Sequence, residues 1–212
     1  MRRASRKTIF AGLDCETTGS RLNEHELIQI GIYLDGERLF TARVGWPSFQ
    51  YDSDALQAIG VDPCEIPQWP QASVVDAEII SWLAGLGIDE GSVVPVGWGV
   101  SGFDVPFVER SLPLFSERYL THRSVELNAI CYTLGSAKTY MDQPRSFDEW
   151  KTMAKKVSEF HVHLAYDRTP QWHDAGYDAL TSLLAWHWLR GIVRDPWPAT
   201  CRADRVGRES DC

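Results

Sequence analysis

Apolar residues gather in short β-rich runs early in the chain and spread to helical spacing towards its end. Lys7 to Asp14, KTIFAGLD, reads as a buried strand, and Glu26 to Leu34, ELIQIGIYL, as a second. Asp35-Gly36 between polar neighbours predicts a tight hairpin, returning Arg38 to Gly45 beside the second strand. Ala72 to Ala84 has apolar residues near helical spacing, and Ser92 to Trp98, SVVPVGW, reads as a core strand despite Pro95. A helix is expected over Phe103 to Leu112, with Pro106 near its start and Pro113 where it must stop, which puts Asp104 at its beginning. Leu114 to Gln171 is helical in flavour with little pattern to set boundaries. Ala175 to Arg190 forms the last helix, with Tyr177, Leu180, Leu184 and Trp188 on its apolar face. Hairpin strands followed by strands alternating with helices predict an α/β fold, a mixed sheet covered by helices.

Composition narrows the class. A chain of 212 residues, 44% hydrophobic, can bury a core, and one domain over 7–193 is expected, with a basic arm at 1–6 and a tail at 194–212. No apolar stretch approaches the roughly 18 residues of a membrane span, and the basic start MRRASRK is followed by an apolar run that Asp14 and Glu16 cut short. The five cysteines are scattered without a C-x-x-C pair, which fits a reducing cytoplasm. A net charge of -8 argues against coating nucleic acid by bulk electrostatics. It is compatible with an enzyme that grips one chain end and concentrates carboxylates at a cation site.

Asp14 and Glu16 stand two apart on a strand, so their side chains share a face and can converge on one ion. Hard divalent cations prefer such oxygen ligands, and the two carboxylates repel one another without one. Thr17, Thr18 and Gly19 follow as a turn whose backbone N–H groups could meet a phosphate or terminal sugar. His173 and Asp178 are five apart, about 140° around a helix, so they do not share a face. The economical arrangement puts His173 on the loop before the last helix and Asp178 on its first turns, where an imidazole can take a proton beside a metal-binding carboxylate.

Together these residues resemble the motifs of the DEDD exonuclease superfamily. LDCETTG is similar to the first motif, GWGVSGFDVPFV carries Phe103-Asp104 as in the second, and HDAGYD supplies the His-four-residues-Asp of the histidine branch. The tyrosine branch would need Tyr where Asp174 stands. LIQIG and DALQAIGVDPCEIPQWPQ extend the likeness over most of the chain up to about Leu189. The resemblance implies an RNase H-like fold and two Mg2+ or Mn2+ ions about 4 Å apart, in the two-metal scheme for phosphodiester hydrolysis. It also implies the roles: Asp14 bridging both ions, Glu16 and Asp178 holding the ion that bears the nucleophile, Asp104 supporting the second partly through water, and His173 deprotonating the attacking water. The reaction implied is 3′-to-5′ removal of nucleoside 5′-monophosphates from single-stranded or 3′-ended DNA or RNA, with no membrane partner. The alternative is a nuclease fold kept for binding nucleic acid without turnover.

The chain departs from the family's usual second motif, with Gly99 to Gly102 lacking the Asn found in many relatives, and SVELNAICYTL offers Glu126 and Asn128 where an Asp-Thr pair is common. Trp98, Phe103 and Trp172 flank motifs two and three as candidate surfaces for a terminal base. His161 and His163, read as alternate residues of a strand, suggest a zinc site with His173, but no acidic or thiol partner completes it.

Overall fold

The computed structural model describes residues 7–36, 38–136, 146–166 and 173–194. A five-stranded sheet has the order β3-β2-β1-β4-β5. β1 (Ile9–Thr17), β2 (Leu27–Leu34) and β3 (Arg38–Arg43) form an antiparallel meander, and β4 (Val93–Gly97) and β5 (Val125–Glu126) add in parallel beyond β1. Among the described residues, seven helices cover the sheet: α1 (Ser53–Ile59), α2 (Ala72–Gly85), α3 (Asp104–Ser111), α4 (Pro113–Tyr119), α5 (Leu127–Ser136), α6 (Phe147–Tyr166) and α7 (Ala175–Arg194). This is the mixed, helix-covered RNase H-like sheet expected.

The pleat of β1 divides the molecule. Ala11, Leu13 and Cys15 enter a core with Val75, Ile79 and Leu83 of α2, Phe107 of α3 and Phe115 of α4. Phe10 faces the opposite core, built from α5, α6 and α7 around Leu127, Ala154, Leu180 and Leu183. Alternation along β1 therefore sends Gly12, Asp14 and Glu16 to the α7 side.

Two glycines let α7 lie directly on the sheet. A Cβ at Gly12 would stand 1.9 Å from the Ala179 carbonyl oxygen, and one at Gly31 would stand 2.0 Å from that of Ala175. Gly31 pairs with Asp14 across the meander, so the close approach brings the first turn of α7 beside Asp14.

Some boundaries differ from the sequence expectation. β1 runs three residues past Asp14, because pairing with β2 continues through Glu16↔Gln29 to Thr17↔Leu27 with an irregularity between Glu16 and Thr17. Pro113 both ends one helix and opens α4 as its first residue. Pro95 is tolerated inside β4 because alternation turns its missing N–H away from β1, towards the side where β5 pairs only from Val96 onward. His161 and His163 lie on helix α6, not on a strand, so the alternation that suggested a paired histidine site does not exist. Among the described residues, no helix is long and apolar enough to cross a membrane.

Candidate active site

The site is built where β1 outruns β4. Parallel pairing between the two strands ends at Gly12↔Val96, so the next turn of β1 has an open edge on that side. Asp104, the first residue of α3, fills part of that gap: its Oδ1 accepts a hydrogen bond from the Cys15 backbone N–H at 2.9 Å and from Cys15 Sγ at 3.3 Å. Arg110 of the same helix donates to the carbonyls of Leu22 and His25 and to Glu26 Oε2, which ties α3 to the turn after β1.

On the α7 side of β1, Asp14, Glu16 and Asp178 offer carboxylate oxygens that all lie within 4.8 Å of one another. At such spacing, charge repulsion in a partly desolvated place is costly. Burial, then Asp104, Asp178 and Glu16, push the Asp14 carboxyl well above its ordinary value. Burial followed by repulsion from Asp178 and Asp104 raises Glu16 to about 8. Asp178 rises to about 6 through burial, partly offset by the His173 N–H, His173 and Lys155. Asp104 is likewise raised to about 6 by burial, with the Cys15 hydrogen bonds opposing the shift. An oxygen-lined cluster that resists ionisation as a group fits a divalent cation, whose charge would replace the shared protons.

His173 stands two residues before α7, exposed, with φ of 63°. Left-handed backbone at a non-glycine residue costs about 1–2 kcal/mol. Here it lets the His173 N–H donate to Asp178 Oδ2 at 3.2 Å. His173 lines a cleft with Glu16, Thr17, Gly19, Ile59 and Phe103. It also lines the adjoining one, with Gln29, Arg43 and Trp69.

The other candidates divide. Thr17 and Gly19 border the first cleft, whereas Thr18 is fully buried, its N–H donates to the Glu26 carbonyl and its hydroxyl to that of Gln50. Thr18 therefore braces the turn, and its N–H is already engaged. Gly19 owes its identity to the His25 ring, which a Cβ would meet at 2.3 Å. Phe103 borders the first cleft and packs 5.0 Å from Phe107, centroid to centroid. Trp98 is half-buried with two lysine ammonium groups over its ring, each 5.7 Å from the centroid. Trp172 lies outside the described residues.

Three residues gain functions that the motifs did not single out. Asp174 caps α7, accepting from the Tyr177 N–H at 3.0 Å, and its other oxygen accepts from Gln29 Nε2 at 3.1 Å, so it pins the helix start to β2. Its position immediately before a helical pattern was the available signal. Glu126 accepts from the Gly99 N–H at 2.7 Å and fastens the loop that leads to Asp104. Lys155 acts on Asp178 from α6, a helix whose sequence carries no motif.

No protein-family model matches the chain, and no curated protein matches its sequence. Its fold is similar to that of E. coli exonuclease I. The complex of that enzyme with a dA16 oligonucleotide aligns with a TM-score of 0.62 and 14% identity, over 90% of this chain and 42% of that one. Its complex with a dT13 oligonucleotide aligns at 0.59 and 14%, with the same coverage. The zinc-bound form of its single-stranded DNA complex gives 0.58 and 15%, again over 90% and 42%. This chain thus spans about two fifths of the length of exonuclease I, and at such identity the likeness is one of fold.

Proposed function

We propose that this chain is a divalent-metal-dependent nuclease of the histidine-branch DEDD type, removing nucleoside 5′-monophosphates from the 3′ end of DNA or RNA. The observation that carries this reading is the convergence of the Asp14, Glu16 and Asp178 carboxylates within 4.8 Å on one face of β1. The similarity of fold to an exonuclease solved with oligonucleotides supports it.

Two Mg2+ or Mn2+ ions held there would supply Lewis-acid stabilisation of charge on the phosphoryl oxygens and ease the ionisation of water. Asp14 would share its carboxylate between them, Glu16 and Asp178 would hold the ion on the nucleophile side, and Asp104 would support the second with the oxygen that Cys15 leaves free. The His173 imidazole, in the cleft beside Glu16, takes the proton of the attacking water. The bond from phosphorus to the 3′ oxygen of the preceding nucleotide breaks, and the terminal nucleotide leaves with a 5′-phosphate. Thr17, Gly19 and Phe103 line the cleft that receives that nucleotide.

The test is incubation with labelled DNA and RNA, linear and circular, in magnesium, manganese or chelator. Stepwise release of 5′-monophosphates from linear strands in metal alone is expected. Equal cutting of circular single strands would reject the exonuclease reading, and binding without cleavage would leave a silent nuclease fold.

A further inference from the structure

Gln29 faces the α7 side of the sheet, in step with Gly31 and Tyr33 along β2. In the register of the meander it stands opposite Glu16 of β1, and it lines the cleft that also holds Glu16 and His173. The first turn of α7 is seated on this face by its backbone. The Ala175 carbonyl occupies the place of a Cβ at Gly31, and a Cβ at Gly176 would run into the Thr41 methyl group on β3. That seat sets Asp178, which belongs to the same turn. His173 and Asp174 precede the helix, so the seat does not reach them. Side-chain hydrogen bonds hold them instead. Asp174 accepts from the Tyr177 N–H through Oδ1 and from Gln29 Nε2 through Oδ2, and the His173 N–H donates to Asp178. A carboxylate oxygen accepts, so the Gln29 amide turns its nitrogen to Asp174. His173 has left-handed backbone, a conformation that persists where the surroundings over-determine it. Asp174 also adds to the repulsion on Asp14, Glu16 and Asp178. A carboxylate placed against such repulsion is accounted for by the two donors it joins.

We infer that Gln29 is a positioning residue for the general base: through Asp174 it latches the backbone at His173 to the strand that pairs with Glu16. The imidazole is thereby registered against the metal ligands. The inference rests on the nuclease reading above, in which His173 takes the proton of the attacking water. Because the backbone seat of α7 is separate from the latch, metal binding and base positioning come apart. Loss of Gln29 loosens His173 and leaves Asp178 in place. A base misplaced by about 1 Å lowers the rate of the chemical step without weakening the hold on metal or substrate.

The test compares Gln29→Leu with the wild-type chain by amide hydrogen exchange, by Mn2+ titration and by cleavage of a single-stranded oligothymidylate. Exchange at the His173 and Tyr177 amides should quicken, and kcat should fall about tenfold, with KM and Mn2+ affinity unchanged. In a His173→Ala background Gln29→Leu should cause no further loss, because a residue that acts through the imidazole has nothing left to position. Asp174→Asn keeps an acceptor for Tyr177 and can meet a flipped Gln29 amide, so it should recover most of the activity that Asp174→Ala loses. Unchanged exchange in Gln29→Leu would overturn the latch whether or not the chain cleaves. Faster exchange with an unchanged kcat, Mn2+ affinity that falls with kcat, or losses that add in the His173→Ala background would overturn the positioning role. A wild-type chain that cleaves nothing would remove the nuclease reading, and the two amides would still decide whether the latch holds the loop.

Discussion

The two faces of β1 use the same side-chain chemistry in opposite ways. Towards α7, Asp14, Glu16 and Asp178 crowd together, with the His173 N–H donating to Asp178, and burial followed by repulsion holds the Asp14 and Glu16 carboxyls high. Towards α3, burial raises Asp104 to about 6, as it does Asp178, and Cys15 opposes that rise by donating to it twice, through backbone and thiol. The first group is arranged at a cost that a cation would relieve. Asp104 completes the fold, standing in for the strand neighbour that Cys15 lacks, and has one oxygen left over. A carboxylate at a site is therefore to be judged by what already hydrogen-bonds it.

Substitutions break this comparison in graded ways. Asp14→Asn and Asp178→Asn should each lower cleavage by about 10³-fold or more, since each removes a cation ligand, while thermal melting in chelator stays the same or rises as repulsion is relieved. A cleanly folded variant with near wild-type turnover would take that residue out of the metal site. His173→Ala should lose about 10²–10⁴-fold in kcat, keep its manganese affinity and lose the rise of rate with pH that a neutral imidazole base requires. If rate and pH profile both survive, the base lies elsewhere.

Asp104 separates the two faces more finely. Asp104→Ala should destabilise the fold by about 1–3 kcal/mol, because the Cys15 N–H is left buried without a partner. Asp104→Asn keeps an acceptor and should lose activity with little loss of stability. Equal melting of the two variants would show that the Cys15 contact contributes nothing.

A further expected effect, spread over several groups, is on stability against pH without metal. A carboxyl raised when folded keeps a proton that the unfolded chain has lost, so its stabilising effect is full below the ordinary carboxylate value and disappears as pH rises through the folded one. With Glu16 raised from 4.5 to about 8, and Asp104 and Asp178 to about 6, melting in chelator should fall between those limits. Added manganese should flatten the fall. A melting temperature that climbs over this range would contradict the repulsion described here.

Much of this was legible in residues alone. The hairpin at Asp35-Gly36, the alternation that pairs Asp14 with Glu16 and the placing of His173 ahead of a helix that carries Asp178 in its first turn follow from turn chemistry and periodicity. The end of β1 was not readable, because Glu16 and Thr17 are polar and the pairing with β2 that continues the strand through them is not written in the strand's own residues. Thr18 pointed the wrong way for a related reason: a Thr-Thr-Gly turn does not reveal that Glu26 and Gln50 return to engage it. Lys155 was invisible because the carboxylate it acts on, Asp178, lies on another helix, and spacing within α6 carries no sign of that. The expected arm at 1–6, residues 167–172 before His173 and the expected tail at 194–212, apart from Arg194 at the end of α7, fall outside the described residues.

The central claim is that the α7 face of β1 is a divalent-cation site, and calorimetric titration with Mn2+ near neutral pH, repeated in buffers of different ionisation enthalpy, tests it most directly. Because Glu16 is raised to about 8, cation binding must expel protons from the cluster, so the apparent enthalpy should change with the buffer. Saturable binding with proton release, lost in Asp14→Asn, is the result predicted. Binding that is absent, or that persists unchanged in Asp14→Asn, would contradict the account.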